Sequence, residues 1–213
     1  MSEAPTIYLS EPLRVYLDDA ASKKPAPGGG SVSACAGALG AALVGMVCNL
    51  TRGREKFADV ETEIVTLVEA AEAARARLEQ LLQEDTTAYS GVIAAYKMPK
   101  ETAEEQAART AAIQAGLIVA ADVPLEICRV AVEVCRLAKV AAGIGNPQAV
   151  TDAGIGAILG EAAVVGAALN VKINLGSIKD EAYVAKAAAE IEAIQAEAAA
   201  LRAETHEITL SRL

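Results

Sequence analysis

Apolar residues recur along most of the chain at steps of three and four, the spacing of one helix face. The alternation of a half-buried strand is nearly absent. Leu9, Leu13, Tyr16 and Leu17 form one such stripe, so a first helix is expected over about 10–21, with Ser10 as its cap. Pro25, Pro27 and the glycines 28–30 then break the chain. Residues 31–51 carry no charge, and Ser31 is placed to cap them as a helix buried on all sides that ends near Arg52 and Gly53. A long amphipathic helix is expected over about 58–96, stopped by Met98-Pro99, because the residue before a proline is pushed out of the helical region. Thr102 and Glu105 have capping-box spacing for the next helix. Pro124 starts a new segment or kinks that helix, and the pattern resumes to Ala142. After a second break at 143–147, a small-residue helix is expected over about 152–171 and a charged, Ala-rich one over about 179–204. The fold class is therefore all-α: a single-domain helical bundle of about six to eight helices over 1–213, with a buried small-residue helix.

Composition sharpens this picture. Hydrophobic residues make up 53% but aromatics only 3%, with no Trp and one Phe, so the core is built from small side chains that let helices pack closely. The net charge of −9 argues against general nucleic-acid binding, which needs clustered Lys and Arg. Residues 31–51 are long enough to span a bilayer, but Gly37, Gly40, Gly45, Ser33 and Asn49 weaken their affinity for lipid, and no membrane partner is expected. Cys35, Cys48, Cys128 and Cys135 sit in apolar runs without C-x-x-C spacing, which reads as free buried thiols in a reducing, cytoplasmic compartment. The first residues have no basic stretch followed by an apolar one, so no signal peptide is expected.

Few residues can carry chemistry. His206 is the sole histidine, which disfavours a histidine-based triad or a metal cluster. Pro27, Gly28, Gly29, Gly30 and Ser31 form a glycine-rich loop that opens a helix; it suits a ligand at the positive helix end, or a plain turn. On the long helix, Leu78, Leu81, Asp85, Tyr89, Val92 and Tyr96 share one stripe, which puts Asp85 on the apolar side. Such a carboxylate is either functional or half of a structural ion pair. Asn146 and Asp152 flank the second break, where Asp152 is also suited to be an N-cap. Asn170 and Asn174, four apart, face either one interior site or structural amide bonds. Lys97 and Lys100 follow the long helix and could meet carboxylates or complement its negative end.

Taken together these segments resemble the formiminotransferase-cyclodeaminase C-terminal family, which includes cyclodeaminase domains and standalone methenyltetrahydrofolate cyclohydrolases. The resemblance rests on the run from Pro27 through the glycines to Thr51, on Asp85-Thr-Thr-Ala-Tyr89 leading to Ala95-Tyr-Lys-Met-Pro-Lys100, and on Asp122-Val-Pro-Leu125. It continues through Gly145-Asn-Pro-Gln-Ala-Val-Thr-Asp-Ala-Gly154 and Ala168-Leu-Asn-Val-Lys-Ile-Asn174. It implies an all-helical homodimer with a folate site, no metal, no cofactor beyond the tetrahydrofolate substrate, and chemistry carried by Asp85. Pro27, Gly28, Gly29, Gly30, Ser31, Tyr89, Lys100, Asn146, Asp152, Asn170 and Asn174 are then the expected substrate contacts, with Lys100 at the glutamate tail. The implied activity is hydrolysis of 5,10-methenyltetrahydrofolate to 10-formyltetrahydrofolate. The alternatives are cyclisation of formiminotetrahydrofolate with release of ammonia, and a non-catalytic helical scaffold.

Overall fold

The structure, a computed structural model, describes residues 6–213. The apolar stripes form α1 (Leu13–Ala20), α2 (Gly29–Asn49), α3 (Glu61–Ala88), α4 (Ser90–Tyr96), α5 (Ala103–Ile144), α6 (Val150–Leu175) and α7 (Glu181–Ser211), with short 3-10 turns before α1, between α2 and α3, and between α5 and α6. No strand occurs among the described residues. The fold is the all-α bundle expected from the sequence.

Helix α2 is the centre, packed on α3, α5 and α6. Its small residues bring backbones together: a Cβ on Gly40 would lie 2.9 Å from the Gly156 carbonyl oxygen of α6. Gly29 lies beside Asn170 and Gly166 beside Ser33, so α2 and α6 run antiparallel. Gly30 lies beside Asp85 and Gly37 beside Leu78, so α2 and α3 are antiparallel as well. Helices α5 and α7 are parallel, because three contacts share one sequence offset of 61. Tyr183 donates to Asp122, and Arg129 and Arg136 make two-pronged contacts with Glu190 and Glu197. These ion pairs are partly exposed, so they set register more than they add stability.

Several helix ends differ from expectation. Tyr8–Ser10 form a 3-10 turn, and α1 begins only at Leu13, because Glu11 precedes Pro12 and is held extended. The α2 cap is Gly28, with Ser31 already inside the first turn. The long helix is interrupted at Tyr89, where Thr86 and Thr87 bond back to the Gln83 and Glu84 carbonyls and Gly91 follows. Thr102 and Glu105 form the expected capping box. Pro124 neither starts a segment nor ends one; α5 runs through it for 42 residues. Asp152 lies in the first turn of α6 and is not its cap, while Asn146 caps the preceding 3-10 turn.

Residues 31–51 are not buried on all sides. Val32, Leu39 and Met46 along α2 and Leu50 just after it stay exposed, beside exposed Ile155, Ile158, Val165, Leu169 and Ile173 on α6. Both segments, Gly29–Asn49 and Pro147–Leu175, are long and apolar enough to cross a membrane by length and composition, and about half of each is covered by the bundle. Cys48, Cys128 and Cys135 are buried free thiols, and Cys35 is half-buried. Burial pushes the Cys128 and Cys135 thiols up to about 12.

Candidate functional site

Where α2 begins, its first turn faces α3 on one side and α6 on the other. The free N–H groups of a helix start attract an acceptor or an anion. Here Asp85 supplies it: the Ser31 N–H donates to Asp85 Oδ2 at 2.8 Å. The carboxylate can come this close because Gly30 has no side chain; a Cβ there would sit 2.1 Å from Asp85 Oδ1. Ser31 is anchored in turn. Its hydroxyl donates to the Leu82 carbonyl at 2.9 Å, so the Tyr16 hydroxyl is the donor in its 3.0 Å contact with Ser31 Oγ. Burial pushes the Tyr16 phenol up to about 12, which keeps it protonated as that donor. Tyr16 is held edge-on by Tyr8, whose backbone N–H bonds the Gln83 side chain on α3. Tyr16 was not singled out by sequence reasoning; it looked like one more apolar position on the first stripe.

Asp85 opens onto a cleft of about 430 Å³. Gly28, Gly29, Tyr89, Asn170 and Asn174 line it with Asp85, and Ile93, Leu117, Pro124 and Ile173 give it apolar walls. Asp85 is the sole carboxylate among the described lining residues, and no Lys, Arg or His joins it there. No described cation forms an ion pair with it, so the ion-pair reading of its apolar position falls away. Burial raises the Asp85 carboxyl above the usual carboxylate range, and the Ser31 N–H offsets part of that rise. A half-buried carboxylate that exchanges a proton more readily near neutrality, in a cleft without competing cations, suits a cationic ligand and general acid–base work.

The expected site residues divide into three groups: those that line the cleft, those beneath it and those away from it. Pro27, Gly30 and Ser31 are buried beneath the cleft, and the Ser31 amide is spent on Asp85. Tyr89 lines the cleft but is 51% exposed, as is Tyr96, while Val92 between them on the same stripe is fully buried. Lys100, Asn146 and Asp152 are not brought to the cleft. Lys100 is exposed in the loop before α5, where its carbonyl accepts from Gln106. Asn146 sits at the opposite end of α2, about 30 Å away by helix rise. Its N–H donates to Thr51 Oγ1 at 2.8 Å and its amide reaches the Leu50 carbonyl. Asp152, half-buried, lies at that same end and places a negative charge at the start of α6. Among the described residues no group of three His, Cys, Asp or Glu side chains is placed to hold a metal ion.

The pattern of the formiminotransferase-cyclodeaminase family matches residues 12–193. The chain is 42% identical over 204 residues to a methenyltetrahydrofolate cyclohydrolase of Methylorubrum extorquens, covering 96% of this chain and 98% of that one. It is 35% identical over 190 residues to the formimidoyltransferase-cyclodeaminase of Rattus norvegicus, covering 89% of this chain and 35% of that longer protein. The crystal structure of a formiminotetrahydrofolate cyclodeaminase from Thermotoga maritima is similar, with a TM-score of 0.86 and 31% identity over 96% of this chain and 98% of that one. The chain belongs to the formiminotransferase-cyclodeaminase family.

Proposed function

We propose that this chain is a folate-dependent enzyme that hydrolyses 5,10-methenyltetrahydrofolate to 10-formyltetrahydrofolate. The observation that carries the reading is Asp85, a lone carboxylate seated on a helix start inside an otherwise uncharged cleft. The methenyl bridge is a cationic carbon between N5 and N10, so a single carboxylate stabilises it without a competing cation. Water attacks that carbon while Asp85 takes one of its protons, forming a neutral adduct with one hydroxyl on the bridge carbon. The C–N5 bond then breaks, Asp85 returns its proton to N5, and the hydroxyl proton leaves as the formyl C=O forms on N10. One proton is released overall. A raised carboxyl pKa suits a group that must both accept and return the proton. The likeness to the Methylorubrum relative along nearly its whole length supports this choice.

A second reading is favoured by the Thermotoga and rat relatives: closure of formiminotetrahydrofolate with expulsion of ammonia. It passes through a tetrahedral carbon between the same two nitrogens and uses the same proton acceptor. Purified protein given methenyltetrahydrofolate should remove its near-ultraviolet absorbance, with and without a chelator, since the proposal requires neither metal nor further cofactor. A parallel assay with formiminotetrahydrofolate and ammonia detection separates the two readings.

The enzyme acts as a cytoplasmic homodimer in this proposal. The exposed apolar stripe on α2 and α6 supports it, because a face of that kind needs a partner in water. Leu39 and Ile158 lie near its middle.

A further inference from the structure

Pro124 has no N–H, so the Ala120 carbonyl, one turn earlier on α5, lacks its usual helical donor. Asn174 supplies one from α6: its side-chain amide donates to the Ala120 carbonyl at 2.9 Å. The same amide nitrogen donates to the Asn170 carbonyl at 2.9 Å, and the Asn170 amide donates to the Gly166 carbonyl at 2.9 Å. Both NH₂ groups are therefore turned onto backbone oxygens, which only accept. Reversing either amide would set oxygen against oxygen, so the orientation of both is fixed. Asn174 is left with its Oδ1 alone, Asn170 with its Oδ1 and one further N–H, and no described donor reaches either oxygen. Both residues line the Asp85 cleft, one helical turn apart, with Pro124 beside them.

We infer that Asn174 and Asn170 are specificity-determining acceptors that read the N–H donors of a bound aminopyrimidine ring, and that Pro124 is the positioning residue that holds Asn174 in this orientation. The inference rests on the folate reading and adds to it the polarity of the recognition. A reduced folate carries a 2-amino group and a ring N–H on its pyrimidine edge, both donors. An amide free to rotate could offer a donor or an acceptor to a ligand. An amide locked by the proline notch offers an acceptor alone, and a ligand lacking the matching donor leaves that oxygen desolvated and unpaired. The lock also accounts for a proline in the interior of a long helix that does not end there.

The test separates this role from simple plugging of the helix. Tetrahydrofolate and an analogue with methyl in place of the 2-amino group are titrated against the full chain by calorimetry, with melting temperature recorded in parallel. The unsubstituted protein should bind the methyl analogue about tenfold more weakly. Asn174→Ala should lose both stability and most of this discrimination. The double variant Pro124→Ala with Asn174→Ala regains a backbone donor for the Ala120 carbonyl, so its melting temperature should recover while discrimination stays below about twofold. Asn170→Ala, which leaves the notch intact, should lower discrimination without the loss of stability seen for Asn174→Ala. Discrimination that survives in the double variant overturns the inference, because Asn174 is then only structural. Equal binding of both ligands by the unsubstituted protein also overturns it and leaves the folate reading standing. Failure of the unsubstituted protein to bind tetrahydrofolate at all overturns both.

Discussion

The Ser31 N–H and Asp85 Oδ2 meet at 2.8 Å across 54 residues of sequence. The contact joins the first turn of α2 to a carboxylate that lines the cleft, and Gly30 keeps the space between them open. Two opposing effects act on the carboxylate through it. Burial favours the protonated form, and the helix start favours the charged one, with burial the larger.

Gly30→Ala tests the space. A methyl 2.1 Å from Asp85 Oδ1 forces the carboxylate off the Ser31 N–H. Turnover should fall at least tenfold, while circular dichroism keeps its helical signal. Normal turnover would mean that Asp85 does not need this seat.

The raised carboxyl of Asp85 makes a statement about stability. A carboxyl with a higher pKa when folded binds its proton more tightly in the native state, so this group lowers stability as pH rises through that range. Asp85→Asn removes the effect. The variant should melt above the unsubstituted protein at pH 7, and the gap should close as pH falls below the usual carboxylate pKa of about 4. A variant that melts lower at pH 7 would show that the charged carboxylate stabilises the fold.

Tyr16→Phe removes the donor to Ser31 Oγ and keeps the ring packed against Tyr8. The loss of one buried hydrogen bond should cost about 1 kcal/mol in denaturant unfolding. The Ser31 hydroxyl retains the Leu82 carbonyl, so Asp85 keeps its seat and turnover should stay within about twofold. A hundredfold fall in turnover without loss of stability would place Tyr16 in the proton path.

Leu39→Glu together with Ile158→Glu tests the dimer. Both side chains are exposed on the apolar stripe of α2 and α6. Light scattering should show a dimer for the unsubstituted chain and a soluble monomer for the variant. A monomer in both cases, or vesicle binding by the unsubstituted chain that the variant loses, would assign the stripe to something other than a second copy.

Local rules carried the sequence reading a long way and failed where tertiary register decides. The stripe through Leu78 and Leu81 correctly marked Asp85 as a carboxylate on an apolar face, and the Thr102–Glu105 box was legible because capping is a matter of four neighbouring residues. Tyr89 lines the cleft, but the break beside it after Ala88, where Thr86 and Thr87 bond back to the preceding turn, is something periodicity does not register. Ser31 looked like a cap, but the glycines before it extend the helix and leave its N–H for Asp85. Asn146 and Asp152 were expected at the site through the family resemblance, since the residues themselves marked only a break and a candidate cap. The antiparallel packing of α6 on α2 carries them to the far end, and nothing local encodes that register. The pairing of Asn174 with Ala120 was invisible for the same reason, since it depends on which carbonyl of α5 faces α6.

The most direct measurement is the turnover of methenyltetrahydrofolate by Asp85→Asn at neutral pH, beside its melting temperature. Asparagine can still accept from the Ser31 N–H but can neither carry the charge nor take the proton from water. With Asp85 as the proton acceptor, the variant should be folded and at least as stable as the unsubstituted protein, with turnover lowered by roughly 10²–10⁴-fold on methenyltetrahydrofolate and on formiminotetrahydrofolate alike. A stable Asp85→Asn protein with near-normal turnover on either folate would contradict that role.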